Sequence, residues 1–219
     1  MTARDVSPIT RLRADLDTRA LRRAFRFAAE AHRGRRRETG DPAFAHPLNV
    51  ARILALTGAD EIMTIAGILH DTVEDTDVTI AELRRLFGPS VSDLVALLTK
   101  PCKGAQPPVM SLTNGTVWSA SRLRAVRIKI ADRLDNMFTV HALPVARRTR
   151  LARESLNYIC PVADDLDPIA AIALRRLSWD ALKMPPSAGD LVPGRAKSRY
   201  LENSSLLTRH VSRSTARTV

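Results

Sequence analysis

The sequence predicts an all-α fold, and three observations carry that prediction. Apolar residues are abundant but seldom aromatic: the hydrophobic fraction is 45% and Phe, Trp and Tyr together supply 4%. A core of Ala, Leu, Ile and Val suits packed helices better than an aromatic-rich sandwich. Apolar residues also recur at helical spacing along most of the chain, and no stretch alternates as a half-buried strand would. Finally, the periodic segments are joined mostly by short polar connections, which implies a single compact helical domain. A chain of 219 residues with 26% charged residues carries enough apolar material for one substantial core and is not disordered overall.

Thr18 is a plausible cap for a helix through RALRRAFRFAAEAHR, with Leu21, Ala24, Phe25, Ala28 and His32 on one face and basic residues opposite. Gly34 opens a polar loop with two glycines and two prolines, and Pro47 suits the first position of a helix through LNVARILALTG, placing His46 at its mouth. ADEIMTIAGILHDTVEDT is apolar in its first half and acidic in its second, as expected of a buried helix whose end opens into a polar cavity. Thr79 and Glu82 form a capping-box pattern, and Gly88-Pro89 separates that short helix from SVSDLVALLTK. Residues 101–115 hold three prolines and two glycines and read as a long loop. SASRLRAVRIKIADRLDNMFTVHAL restores the period with Leu123, Val126, Ile130, Leu134 and Met137 in one stripe, and puts Asp132 and Asn136 one turn apart on a second, polar face. ARRTRLARESLNYICPVADDL and DPIAAIALRRLSWDAL supply two more helices. The domain is expected over residues 16–183, preceded by an extension over 1–15 and followed by a disordered tail over 184–219 rich in Pro, Ser, Thr and Arg.

The formal charge is +11. Such a surplus can serve nucleic acid, a membrane surface or a small polyanionic substrate. Cys102 and Cys160 are too few for a disulfide framework or a Cys-rich zinc site, which fits a reducing compartment. Neither a signal-peptide core nor an apolar run of membrane-spanning length is present, so a soluble cytoplasmic protein is expected.

The residues with chemical potential are His46, the adjacent pair His70-Asp71, and Asp132. Two imidazoles and two carboxylates make a mixed N/O set suited to Mn²⁺, Fe²⁺, Zn²⁺ or Mg²⁺, with positions left for water and a phosphate oxygen. Glu74 and Asp75 each follow one of the pair by four residues, one helical turn on. Three carboxylates within five residues repel one another unless a cation balances them, and a carboxylate there could orient or deprotonate a metal-bound water. The ordinary reading of such a cluster is a solvated acidic helix end, against which IMTIAGIL is too apolar for a surface helix.

HRGRRRETGDPAFAHPLNVARIL, IAGILHDTVEDT, FGPSVSDLVALLTK, RIKIADRLDNM and ESLNYICPVADDL together resemble the successive motifs of the hydrolase domain of the RelA/SpoT homologues, the enzymes of the alarmone (p)ppGpp. The resemblance covers about residues 25–182 and leaves no segment for a synthetase domain, as in a stand-alone small alarmone hydrolase. It implies an all-helical HD-superfamily fold, Mn²⁺ held by His46, His70, Asp71 and Asp132, a water-activating pair in Glu74 and Asp75, and nucleotide contacts from Arg37, Thr39, Asn136 and Thr139. The reaction implied is hydrolysis of the 3′-pyrophosphate of ppGpp or pppGpp to GDP or GTP and pyrophosphate, with Glu74 acting on the water, Asp75 as its partner, and Arg37 gripping phosphate.

Two departures stand out. Glu38 replaces the family's usual Lys beside the nucleotide pocket, which opens the alternative of an adenine alarmone or NADPH as substrate. Asp135 and Phe138 replace its usual His and Arg around Asp132 and Asn136. A non-catalytic alarmone- or nucleic-acid-binding module using the basic tail is the remaining alternative. Other conspicuous residues take ordinary readings: His32 as a hydrogen-bonded structural histidine, Arg33, Arg35 and Arg36 as a solvated basic run, and Trp118 and Trp179 as packing residues.

Overall fold

The computed structural model describes residues 18–100 and 119–183; the extension over 1–15, the loop over 101–115, Trp118 and the tail from 184 lie outside the described residues. The described residues form helices with no strand, and the only β pairing among them is an isolated antiparallel bridge between Arg36 and Pro42.

Helix α1 (Arg19–Ala31) starts where expected, with the Thr18 side chain accepting from Leu21 N. The loop after it is pinned into a tight hairpin by Arg37 N donating to Asp41 O at 2.9 Å and Ala43 N donating to Arg35 O at 3.0 Å. Helix α2 (Ala45–Leu56) begins two residues before Pro47, which puts His46 inside the first turn rather than ahead of it. Pro tolerates that place because the first turn's N–H groups have no intrahelical acceptor.

Helix α3 (Glu61–Leu69) is capped by Asp60 and buried from Met63 to Leu69. At Gly67 it comes so close to α2 that a Cβ would lie 2.5 Å from Leu54 Cδ1. The acidic segment does not continue this helix: it turns at His70-Asp71 and resumes as the single turn α4 (Thr72–Asp75). Helix α5 (Ile80–Phe87) is capped by Thr79. Gly88, at φ 83°, then permits the sharp junction with α6 (Pro89–Leu98).

Helix α7 (Ala120–Phe138) is the longest and runs through the middle of the domain, packing on α2, α3 and α6. A 3₁₀ turn (Val140–Ala142) leads to α8 (Val145–Glu154). The single helix expected over 146–166 is instead interrupted by a π turn (Ser155–Ile159) before α9 (Cys160–Leu166). Pro161 has no N–H to offer the preceding turn, and the backbone widens so that Cys160 N–H reaches Ser155 O. Helix α10 (Pro168–Lys183) closes the bundle against α7, α8 and α9. Trp179 on this helix is 53% exposed, so it is not the packing residue expected from sequence.

The core is aliphatic. Leu69, fully buried at the end of α3, is the last apolar residue before the candidate site. Leu69→Ala is expected to lower the unfolding free energy by about 2–5 kcal/mol through lost transfer energy and the cavity left behind. Urea denaturation with an unchanged slope is the check.

Candidate metal centre

Three helices bring the predicted ligands together: the first turn of α2 carries His46, the α3 to α4 junction carries His70 and Asp71, and the buried face of α7 carries Asp132. Ligating atoms of His46, His70 and Asp132 lie within 4.8 Å of one another, and all three residues are buried. His46 Nε2 is 3.1 Å from Asp132 Oδ1 and 3.4 Å from Asp71 Oδ2. Asp71, with 28% of its side chain exposed, closes the cluster on the solvent side.

Both imidazoles point Nε2 inward because an acceptor holds each Nδ1. His70 Nδ1 lies 2.8 Å from Gly67 O, which can only accept, so Nδ1 carries the proton and Nε2 faces the centre. His46 Nδ1 lies 2.8 Å from Asp135 Oδ2, with the same consequence. His70 Nε2 is buried without an aligned hydrogen-bond partner, although Asp71 Oδ1 is 3.0 Å away and Asp132 Oδ1 3.7 Å away. A buried ring nitrogen without a partner, beside a second imidazole nitrogen and two carboxylates, fits a divalent cation.

The electrostatics agree. Burial works against a charged His46, but hydrogen bonds with Asp132 and Asp135 outweigh it and raise its pKa. Burial opposes the charged form of His70 too, yet Asp71 and Asp132 push its pKa up to about 10. The carboxyls move the other way: burial would raise them, but His70 holds Asp71 below the ordinary carboxylate range, and Lys129 with the two imidazoles holds Asp132 well below it. Lys129 Nζ sits 2.7 Å from Asp132 Oδ2, and despite burial Asp132 raises the Lys129 pKa. Asp71 and Asp132 both face the two imidazoles, Asp135 holds the outer nitrogen of His46, and Lys129 and Arg37 pair with Asp132 and Asp135. A divalent cation would supply the positive charge that these carboxylates otherwise draw from protonated imidazoles.

The centre is the floor of a cleft of about 480 Å³. Arg35, Arg36, Arg37, Lys100, Lys129 and Arg147 line it, together with Glu38, Thr39, Glu74, Asp75, Asn136 and Thr139. Every site residue predicted from sequence is therefore in or beside one cavity, but several are engaged in unforeseen ways. Glu74 accepts from Lys100 N at 2.9 Å and from Lys100 Nζ at 2.8 Å, so both its oxygens are taken. Asp75 makes no side-chain hydrogen bond among the described residues, and burial followed by repulsion from Asp71 raises its pKa. The Arg37 fork is turned toward Asp135 and Asn136. Thr39 donates to Asp41 at 3.0 Å on the rim. Glu38 pairs with Arg147 of α8.

His32 corrects a sequence expectation. It is 4% exposed, but neither ring nitrogen has a hydrogen-bond partner, and the ring lines the cleft. Arg35 and Arg36, expected to be merely solvated, also face this cavity. Lys129, Lys100 and Arg147 were not singled out from sequence, and Asp135 was noted only as a departure from the family pattern; Lys129 left a local signal, a lysine three residues before Asp132 on one helix.

The HD domain family profile matches residues 24–106. A guanosine-3′,5′-bis(diphosphate) 3′-pyrophosphohydrolase of Aquifex aeolicus is 37% identical over 148 residues, which is 67% of this chain and 21% of the relative. The chain spans about a fifth of the length of the curated relatives it matches. A solved structure from Listeria monocytogenes is 30% identical, with a TM-score of 0.51, over 66% of this chain and 99% of the other. A metazoan ortholog of SpoT, described as hydrolyzing ppGpp, matches at TM-score 0.53 and 23% identity over 87% of this chain and 96% of its own, a likeness of fold. By profile the chain carries an HD domain over residues 24–106, and by sequence that region and its flanks are similar to part of the guanosine-3′,5′-bis(diphosphate) 3′-pyrophosphohydrolases.

Proposed function

We propose that the chain is a cytoplasmic, Mn²⁺-dependent hydrolase of the 3′-pyrophosphate of ppGpp and pppGpp, with GDP or GTP and pyrophosphate as products. The observation that carries this reading is the convergence of His46 Nε2, His70 Nε2 and the Asp132 and Asp71 carboxylates at the floor of a cleft lined by six Arg and Lys side chains. The Aquifex aeolicus relative bears the name of this reaction. Bound there, Mn²⁺ would lower the pKa of a water and neutralise a phosphate oxygen.

The chain's own residues supply the rest. In the reaction the water oxygen bonds to the phosphorus on O3′, the P–O3′ bond breaks, and O3′ gains a proton. With both Glu74 oxygens held by Lys100, Asp75 is the acceptor for the water's proton and Glu74 its positioning neighbour. This reverses the order expected from sequence. Arg35 and Arg36 would meet the phosphates, with Arg147 available only if it leaves Glu38, and Thr39, Asn136 and Thr139 line the same cleft.

The test is pyrophosphate release from ppGpp with Mn²⁺, run beside ppApp and NADPH. Release from ppGpp is expected, lost with a chelator and in Asp71→Ala. Release only from ppApp, or phosphate only from NADPH, overturns the substrate assignment, and a folded, Mn²⁺-loaded protein inert toward all three overturns the enzyme reading. A variant comparison follows from the Glu74 contacts. Asp75→Asn is expected to lower kcat by about 10²–10⁴ with little change in KM, as for loss of a general base. A smaller loss than in Glu74→Gln would restore the original order.

A further inference from the structure

Asp135 is completely buried, yet it is neither in the ligand cluster nor able to reach solvent. One of its oxygens, Oδ2, accepts from His46 Nδ1 at 2.8 Å and from Arg37 Nη1 at 3.1 Å. Arg37 Nη2 donates to Asn136 Oδ1 at 2.7 Å, and Asn136 Nδ2 donates to Asp132 Oδ1 at 2.7 Å. Asp132 Oδ1 is in turn 3.1 Å from His46 Nε2. The five side chains form a closed ring in which both nitrogens of His46 and the inner oxygen of Asp132 take part.

We propose that Asp135 is a positioning residue for the metal centre: it fixes the ring angle and tautomer of His46, and through Arg37 and Asn136 it locks that orientation to Asp132. The proposal rests on the metal-dependent reading above. His70 receives the equivalent support from a backbone carbonyl, Gly67 O, which the helix itself holds in place. His46 lies in the first turn of α2, and its Nδ1 depends on a side chain from another helix. Without that acceptor the imidazole is free to turn or to carry its proton on Nε2, the atom that would bind the cation. Oriented this way, the carboxylate also makes Nε2 a stronger donor toward a metal.

The competing role for Asp135 is only to neutralise the partly buried Arg37, and the two roles predict different double variants. Mn²⁺ itself is the probe: free Mn²⁺ is measured by electron paramagnetic resonance during titration into the metal-free full chain, with thermal unfolding run on each variant. Asp135→Ala is expected to weaken Mn²⁺ binding about 10–100-fold. Asp135→Asn, whose Oδ1 can still accept Nδ1–H, is expected to recover part of that loss. Arg37→Ala is expected to weaken binding far less, and the Arg37→Ala/Asp135→Ala pair to bind as poorly as Asp135→Ala alone. Should Asp135→Ala not fold, Asp135→Leu, which fills the same space without an acceptor, supplies the comparison.

Wild-type affinity in Asp135→Ala or Asp135→Leu overturns the proposal, as does recovery of affinity when Arg37→Ala is added. A wild-type chain that takes up no Mn²⁺ overturns the metal reading itself and this proposal with it.

Discussion

Asp132→Asn is expected to abolish metal binding and lower kcat/KM at least about a thousandfold, equivalent to roughly 4 kcal/mol of transition-state stabilisation. Asp132 is the hub of the centre: one oxygen meets His46 Nε2 and the Asn136 amide, the other meets Lys129 Nζ. The isosteric amide keeps the volume and removes the charge, so the effect reads electrostatics rather than a cavity. Its immediate neighbours would then be Lys129 and two imidazoles with less reason to attract a cation and more to repel one. Thermal unfolding supplies a readout independent of turnover. A ligand at about a thousand times its Kd stabilises the fold that binds it by about 4 kcal/mol, so Mn²⁺ is expected to raise the Tm of the wild type and to leave that of Asp132→Asn unmoved. An Asp132→Asn protein whose Tm still climbs with Mn²⁺ would place the cation elsewhere.

The parts of this molecule that could be read along the chain are those governed by near neighbours. Thr18, Asp60 and Thr79 cap helices because each side chain reaches an N–H three residues on. The pairing of Asp132 with Asn136 follows from helical spacing alone. His46, His70, Asp71 and Asp132 were likewise identifiable as a mixed donor set, and the helices do bring them into one cluster. What escaped is either long-range or a backbone compromise. Arg37 and His46 reach Asp135 across 98 and 89 residues, and Arg147 reaches Glu38 across 109, separations that carry no periodic signal. Asp135 was visible as a departure from the family's usual His beside Asp132 and Asn136, but nothing along the chain pointed to its contact with His46. The break at His70-Asp71 and the π turn after Glu154 are local, but they arise where tertiary demands override propensity: one aims two ligands into a cavity, the other absorbs Pro161 without ending the helical path. His32 shows the same limit, since an apolar-face histidine looks structural until the opposite wall is known to carry Asp71 and Asp75.

Arg133→Ala is expected to destabilise the scaffold strongly while leaving the metal centre in place. Arg133 leaves the buried face of α7 and enters the α8 to π-turn segment, where Nη1 donates to Leu151 O at 2.9 Å and Nη2 to Glu154 Oε2 at 3.1 Å. It therefore ties the central helix to the part of the bundle whose backbone ladder is already interrupted by the π turn. Its side chain is 5% exposed, and Glu154 is 19% exposed. Breaking a buried pair by removing one partner costs about 3–5 kcal/mol, and the partial exposure of Glu154 places this case near the lower end. At about 2–4 °C per kcal/mol for a domain of this size, the Tm should fall by about 6–12 °C. Arg133→Met, which retains most of the packed volume, should lose less, and the difference between the two variants separates packing from the ion pair. None of the Arg133 hydrogen bonds goes to His46, His70 or Asp132, so Mn²⁺ affinity below the lowered Tm should match the wild type. A Tm shift under about 2 °C would mean that water or Arg150, whose Nε lies 3.8 Å from Glu154, replaces the buried guanidinium at little cost. Loss of Mn²⁺ binding in a folded Arg133→Met protein would instead show that the tilt of α7, and with it the aim of Asp132, is set from the far side of the bundle.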